Sequence, residues 1–153
     1  MDKDPAFLMY AKDWLQGTSQ LMPEEKGVFI DLLCHQHQDG SLPADTRRLA
    51  RMAGMTEEAF LPIWETLKVK FKPTNGNRLV NQKLNQVVVN RSSRSLTNRI
   101  SGEFASLIRL STLNDKQKEK IKSQFSVSDF TNIEPSKLKE RLTEWFRSCS
   151  TDL

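Results

Sequence analysis

This chain has few cysteines and few histidines. Its 153 residues include two cysteines, Cys34 and Cys149, and two histidines, His35 and His37. The cysteines are far apart in the chain and have no CxxC or Cys/His ligand spacing, so we expect reduced thiols rather than a disulfide framework. His35 and His37 are two positions apart, which places them on different faces of a helix. The sequence therefore predicts no metal site.

Nucleotide-binding motifs and long apolar runs are also absent. Neither GxGxxG nor Gly-x4-Gly-Lys-Ser/Thr occurs, so no nucleotide cofactor is predicted. The acidic pairs at positions 24–25 and 57–58 stand at expected helix starts, where the helix dipole accounts for them without catalysis. We therefore expect a protein that is not an enzyme and has neither a cofactor nor a small-molecule substrate. With no apolar run of about 18 residues and an acidic start unlike a signal peptide, a cytoplasmic location is expected.

One stretch of the chain has no acidic residue. We call residues 66–102 the acid-free stretch, and its basic residues are Lys68, Lys70, Lys72, Arg78, Lys83, Arg91, Arg94 and Arg99. Residues 55–100 have eight basic and three acidic residues, a net charge of +5, against +4 for the whole chain. Clustered positive charge attracts polyanions such as nucleic acid. The alternative is a solvated basic surface that binds nothing.

Before and within the acid-free stretch, the residue pattern predicts three helices and a hairpin. Pro23 followed by two acids marks a helix start, and Asp39-Gly40 marks its end. Thr56 is a candidate N-cap. The helices are expected at residues 23–38, 46–53 and 56–67, and the hairpin at 69–80, with strands at 69–71 and 79–80 and a tip at Asn75-Gly76-Asn77. This order predicts a winged helix-turn-helix domain.

The residues that precede these helices mix aromatic and polar types. We expect Phe7, Met9, Trp14 and Leu15 in the core or in a lid over it. Tyr10 is expected in a short strand that pairs with the hairpin.

After the hairpin the pattern is again helical, but a polar patch interrupts it. A helix is expected at 81–90, and Arg91-Ser92-Ser93-Arg94-Ser95 is the candidate domain boundary. Residues 91–102 are then a linker or a helix extension. Residues 103–153 are expected to form a small helical C-terminal domain, with helices at 103–110 and 115–125 and a last one opened by Pro135. The predicted fold is mainly α with a small β-hairpin, in which a winged-helix domain (1–90) precedes this helical domain.

The N-terminal part also resembles a known family. Its residues are Lys3-Asp4-Pro5-Ala6-Phe7-Leu8-Met9-Tyr10, Asp13-Trp14-Leu15 and Met22-Pro23-Glu24-Glu25-Lys26-Gly27, followed by Leu49-Ala50-Arg51-Met52-Ala53-Gly54. These resemble the YdaU-like family, small proteins of undetermined function often encoded in the replication modules of phages and prophages. The resemblance covers about the first 90 residues and implies a winged-helix-like domain in a DNA replication module. It supplies no catalytic residues.

The candidate DNA-binding residues fall into three groups along the chain: Arg47, Arg48 and Arg51 on the second of the three helices, Lys70, Lys72, Asn75, Asn77 and Arg78 in the hairpin, and Arg91, Arg94 and Arg99 beyond it. We expect these residues to contact mainly phosphates. The helix that should read bases opens with Glu57 and Glu58 and has no Arg, Lys, Asn or Gln in its first half. Two alternatives therefore stay open, binding without sequence preference or a winged helix that contacts protein.

The last helix offers a candidate partner site. An apolar stripe is formed by Leu138, Leu142, Trp145 and Phe146, which either packs on the chain's own core or docks on a replicative helicase, a helicase loader or a second copy of the chain. The lysines at 116–122 form a solvated face or a second nucleic-acid surface. The predicted function is non-catalytic DNA binding in a phage or mobile-element replication module, in replication initiation or helicase loading. The alternative is a protein–protein adaptor or inhibitor.

Overall fold

The computed structural model describes residues 6–151, which are mainly helical with one small antiparallel sheet. The predicted composition of helices and a small hairpin is thus confirmed. Lys3, Asp4 and Pro5, with which the family resemblance begins, lie outside the described residues. The chain divides into two compact units, Met1–Asn90 and Arg91–Leu153. In the part of the chain that the structure describes, no helix has the length and apolar content needed to cross a membrane.

The first unit alternates helices with very short strands. Its elements in chain order are α1 (Ala11–Gly17), α2 (Pro23–Asp39), β1 (Leu42–Pro43), α3 (Thr46–Met52), α4 (Glu57–Leu67), a 3-10 turn (Lys68–Lys70), β2 (Lys72–Thr74), β3 (Arg78–Val80) and the first turns of α5 (Gln82–Leu110). The three predicted helices are confirmed within one residue or two at each end. α2 stops where Gly40 takes a left-handed conformation (φ 79°), which glycine adopts without steric cost. The Thr56 hydroxyl caps α4 by accepting from the Ala59 N–H.

The sheet has the order β1-β3-β2, so the hairpin strand β3 lies in the middle. Leu79 lies opposite Leu42 in β1 and opposite Pro73 in β2. Residues opposite each other in an antiparallel pair share one face of the sheet. Leu42 and Leu79 face the core, so Lys72, Thr74 and Arg78 share the outward face.

Aromatic rings join the helices of the first unit. Trp14 stacks on Phe29 with ring centroids 5.6 Å apart, and Phe71 lies 5.9 Å from Phe29 and 5.7 Å from Trp64. Buried aliphatic side chains from α2, β1, α3 and α4 complete this core. Each large apolar side chain buried in this way contributes about 1.5–3 kcal/mol.

Two expectations for the first unit were wrong. Residues 69–71 do not form a strand, because the Phe71 N–H donates to Lys68 O at 3.1 Å, which closes a 3-10 turn after α4, and Phe71 is buried in the core. The first hairpin strand therefore begins at Lys72. Tyr10 is not in a strand either; it is the exposed N-cap of α1, a helix that the sequence pattern did not predict.

A buried polar network fixes the start of α5. The Gln36 side chain accepts from the Asn81 N–H at 2.6 Å and donates to the Asn81 carbonyl at 3.2 Å. The Asn81 side chain in turn accepts from the Leu84 N–H at 3.0 Å and donates to Lys70 O at 2.8 Å. Because buried amides cost free energy unless they are paired, this network holds α2, the turn after α4 and the start of α5 in one arrangement.

As far as residue 151, the second unit is built from helices and the loops between them. It contains the rest of α5, α6 (Asp115–Gln124), a 3-10 turn (Val127–Phe130) and α7 (Leu138–Thr151). Phe125 stacks on Phe104 with ring centroids 3.8 Å apart, and Trp145 lies edge-on to Phe125 at 5.7 Å and to Phe130 at 5.9 Å. Offset and edge-on ring contacts of this kind add to the free energy gained by burial.

Helix boundaries in the second unit differ from the predicted ones. Residues 91–102 lie within α5, so the expected helix at 103–110 is not separate. The polar patch contains neither Gly nor Pro, and Ser and Arg lower helix stability only slightly, while Leu96 and Ile100 continue an apolar stripe into the core. The last helix starts at Leu138, three residues after Pro135, because the Lys137 N–H closes a turn on Glu134 O at 2.9 Å.

We expect Gln36→Leu to lower the free energy of unfolding of the first unit by about 2–4 kcal/mol, because the Asn81 N–H stays buried without an acceptor. Urea unfolding followed by tryptophan fluorescence in a Trp145→Phe background measures it, since only Trp14 and Trp64 then report. Gln38→Leu, exposed on the same helix, is the control and should change stability by less than about 0.5 kcal/mol. Equal effects of the two substitutions would contradict the role of the network.

Candidate nucleic-acid interface

The hairpin tip and the start of α3 are held side by side. The Ala44 N–H donates to Asn77 O at 3.1 Å, and Asp45, the next residue, caps α3 by accepting from the Arg48 N–H at 2.8 Å. The Arg78 guanidinium of β3 donates to the hydroxyl (2.9 Å) and the carbonyl of Ser41, just before β1. These bonds join the basic hairpin to the segment that leads into α3, although the two are far apart in sequence.

The arginines of α3 differ in their partners. Arg47 forms an ion pair with Glu57 of α4 at 3.2 Å. Arg48 and Arg51 are exposed, and their side chains have no hydrogen-bond or ion-pair partner among residues 6–151. They are three positions apart, a spacing that places both on one side of the helix.

The outward face of the hairpin adds further polar groups. Lys72 is exposed and lacks an ion-pair partner within the described residues. Asn75 and Asn77 lie at the exposed tip, where Gly76 and Asn77 have positive φ values of 72° and 56°. Asparagine and glycine are the residues that accept this backbone conformation most readily, so the predicted position of the tip is confirmed. We call Arg47, Arg48, Arg51, Lys72, Asn75, Asn77 and Arg78 the α3–hairpin surface.

Lys70, the remaining candidate from the predicted hairpin, has its side chain directed toward the end of α1. Its Nζ donates to Gly17 O at 2.8 Å and lies 5.7 Å from the centroid of the Phe29 ring. The side chain is half-buried and ties the 3-10 turn to the end of α1. Lys70 therefore serves the packing of the first unit rather than the α3–hairpin surface.

The start of α4 contributes acidic groups next to these cations. Glu57 accepts from the Thr46 hydroxyl at 3.1 Å and from Arg47 at 3.2 Å, so its charge is largely balanced within the domain. Glu58 is exposed beside it. A helix that begins in this way has no donor suited to base edges in its first turn.

The third group of candidates belongs to the second unit. Arg94 is exposed, Arg91 is half-buried, and Arg99 donates to Pro135 O at 3.2 Å. Arg99 thus holds the turn before α7.

The candidate partner stripe also lies in the second unit. Leu138 and Leu142 are fully buried, Phe146 is 9% exposed, and the half-buried Trp145 packs on three phenylalanine rings. Of the two alternatives, the structure shows the one in which α7 packs on its own core. In this folded unit the apolar face of α7 packs mainly on the unit's own core.

The remaining groups of interest are the possible metal ligands and the thiol of Cys34. Within the described residues, no group of three or more His, Cys, Asp or Glu side chains is placed to hold a metal ion. Partial burial, and to a lesser degree the Asp31 carboxylate, raise the pKa of the Cys34 thiol. The neighbouring His35 Nε2 lies 3.1 Å from Met52 O, where it donates a hydrogen bond in the matching tautomer. A thiol with a raised pKa is a poor nucleophile at neutral pH.

Comparison with known proteins gives one match. A family model described as "Protein of unknown function (DUF1376)" matches residues 7–88, more than half of the chain and nearly all of the first unit. No curated protein and no solved structure matches the sequence.

The raised pKa of Cys34 should shift the pH dependence of its alkylation rate toward higher pH. In a Cys149→Ser background, we expect the rate of reaction with iodoacetamide to rise with a midpoint above that of a cysteine in an unstructured peptide. Asp31→Asn should lower the midpoint without restoring the peptide value, because burial is the larger cause of the raised pKa. A midpoint at or below the peptide value would show that the thiol is better solvated than the structure indicates.

Leu142→Ala tests the assignment of the stripe to the core. Removing this fully buried side chain should destabilise the second unit by about 2–4 kcal/mol. Hydrogen exchange by mass spectrometry should then show faster exchange throughout α7. Lys139→Ala, exposed on the same helix, is the control. Unchanged exchange in Leu142→Ala would return the stripe to the role of a docking surface.

Proposed function

For this chain, which belongs to the DUF1376 family of proteins of unknown function, we propose non-catalytic binding to nucleic acid through the α3–hairpin surface. The hydrogen bond between Ala44 and Asn77 carries the proposal, because it brings the hairpin of the acid-free stretch next to the arginines of α3. Arg48, Arg51 and Lys72 are the cations of this surface whose side chains have no hydrogen-bond or ion-pair partner among residues 6–151. Exposed cations without partners are available to phosphates.

The order of the elements supports a winged-helix arrangement. Helix α2, strand β1, helices α3 and α4 and the hairpin β2–β3 follow one another, and β3 pairs with both other strands. We propose that α3 and α4 form the helix-turn-helix and that the hairpin is the wing. In this arrangement the wing and α3 contact the backbone of the nucleic acid.

Binding of this kind should select weakly among sequences. The first turn of α4, which would face the bases, presents Glu58 and a Glu57 already engaged by Arg47 and Thr46. Acidic groups repel phosphate, and on base edges a carboxylate accepts only from amino groups, chiefly that of cytosine. We therefore propose that affinity comes mainly from phosphate contacts and falls steeply as salt is added.

The biological setting rests on the sequence resemblance. That resemblance favours a phage or mobile-element replication module, in replication initiation or helicase loading, with a helicase, a loader or a second copy of the chain as protein partner. The adaptor alternative needs a docking surface other than the α7 stripe, because that stripe packs on its own core.

The salt dependence of binding tests the α3–hairpin surface. We expect the combined variant Arg48→Gln, Arg51→Gln and Lys72→Gln to make the negative slope of log K against log salt shallower by about 2–3 for double-stranded DNA, since each lost phosphate contact removes about 0.9 from its magnitude. Fluorescence anisotropy at several salt concentrations, with single- and double-stranded DNA, gives the slopes. Arg78 is left intact because it holds Ser41.

The matched control carries the same change in charge in the second unit. Arg109→Gln, Lys139→Gln and Arg147→Gln replace three exposed cations that have no side-chain partner among residues 6–151. If the control makes the salt slope as shallow as the first variant does, the binding affinity depends on net charge and not on the α3–hairpin surface. If the unaltered chain does not bind at low salt, the proposed function is wrong.

A further inference from the structure

The first unit has a cleft on the side of the hairpin where Lys70 meets α1. Its volume is about 330 Å³, and its walls come from residues 7–10, α1, α2, the 3-10 turn and the start of α5. The α3–hairpin surface does not form it, although Lys72 contributes to both. A concave site of this size accommodates a few side chains of a ligand.

The cleft combines a firm apolar floor with exposed apolar edges. Phe29 and Leu33 belong to the buried core and form part of the lining. Met9 and Val69, also in the lining, are 54% and 70% exposed. Exposed large apolar side chains grouped at a cleft mark interaction sites more often than isolated ones do. Of the two positions that the sequence pattern predicts for Met9, the core or a lid over it, the structure rules out the core.

The charges at the rim are unequal. Among the described residues, Lys70, Lys72 and Lys83 line the cleft together with one acid, Asp13, whose carboxylate lies 3.1 Å from Lys83 Nζ. Lys72 has no ion-pair partner among the described residues. An occupant with acidic groups beside an apolar anchor therefore complements both the floor and the rim.

We propose that this cleft binds a short acidic peptide segment of a partner protein, with a bulky apolar side chain seated between Met9, Trp14 and Val69. A carboxylate of the peptide pairs with Lys72, and Lys83 adds to the positive potential of the rim. The main chain of the irregular segment supports a peptide as the occupant, because the backbone groups of Leu8 and Met9 make no hydrogen bond to residues 6–151 and can pair with another main chain. This proposal does not depend on nucleic-acid binding.

Selection from a random peptide library displayed on phage, with the full chain immobilised, tests the proposal. We expect the enriched peptides to share an aromatic or aliphatic anchor flanked by Asp or Glu. A labelled copy of an enriched peptide then serves as the probe in fluorescence anisotropy. The combined variant Met9→Ser and Val69→Ser should bind this probe about tenfold more weakly, because two apolar contacts are lost.

A matched pair of substitutions controls for the loss of apolar surface. Met22→Ser with Val89→Ser removes a similarly exposed methionine and valine outside the cleft, and should leave probe binding unchanged. Lys83→Gln should weaken probe binding about threefold and make it less sensitive to salt.

Three results would overturn the proposal. No peptide is enriched, the enriched peptides are basic or uncharged, or the cleft variant binds the probe as well as its control does. Failure of the proposed function is distinguishable from these results. The Arg48→Gln and Arg51→Gln substitutions affect DNA binding alone, whereas Met9→Ser and Val69→Ser affect probe binding alone.

Discussion

The pairing of Gln36 with Asn81 is the interaction on which the arrangement of the first unit depends. A side-chain amide from the middle of α2 satisfies both backbone groups of the residue that caps α5. The same asparagine holds the carbonyl of Lys70, so the turn that carries Phe71 into the core is fixed by the same network. Because these groups are buried, any other register of the hairpin would leave an amide without a partner.

The α3–hairpin surface and the cleft lie toward opposite ends of the hairpin, the first toward its tip and the second toward its base. Toward its tip, β3 pairs with β1, and the Ala44–Asn77 hydrogen bond places the tip beside the start of α3. Toward its base, the turn before β2 directs Lys70 to α1 and leaves Val69 exposed at the rim of the cleft. A three-stranded sheet of very short strands thus separates a basic surface from an apolar cleft, with Lys72 shared by both.

Local signals predicted much of the first unit. The Pro23 start, the Gly40 stop and the Thr56 cap act within a few residues, so the helix boundaries they set were confirmed. The hairpin tip at Asn75-Gly76-Asn77 was confirmed for the same reason. Errors arose where a long-range contact decided the conformation. Burial of Phe71 between Phe29 and Trp64 turned a strand-like segment into a 3-10 turn, and Leu96 and Ile100 carried a helix through the polar patch. β1 was missed because two residues have no periodicity to recognise.

The sequence by itself determined the helical composition, the position of the hairpin, the absence of acids over residues 66–102 and the family of residues 7–88. These depend on residue type and on spacing along the chain. Tertiary structure alone decided which cations are available. In the folded chain Arg47 forms an ion pair with Glu57, and Arg78 and Lys70 donate hydrogen bonds to Ser41 and Gly17. Arg48, Arg51 and Lys72 stay exposed without such partners among the described residues. Tertiary structure also buried the α7 stripe and opened the cleft beside Met9. The reason is physical: a charge or an apolar side chain is available only where packing brings no partner to it, and sequence spacing carries no information on partners tens of residues away.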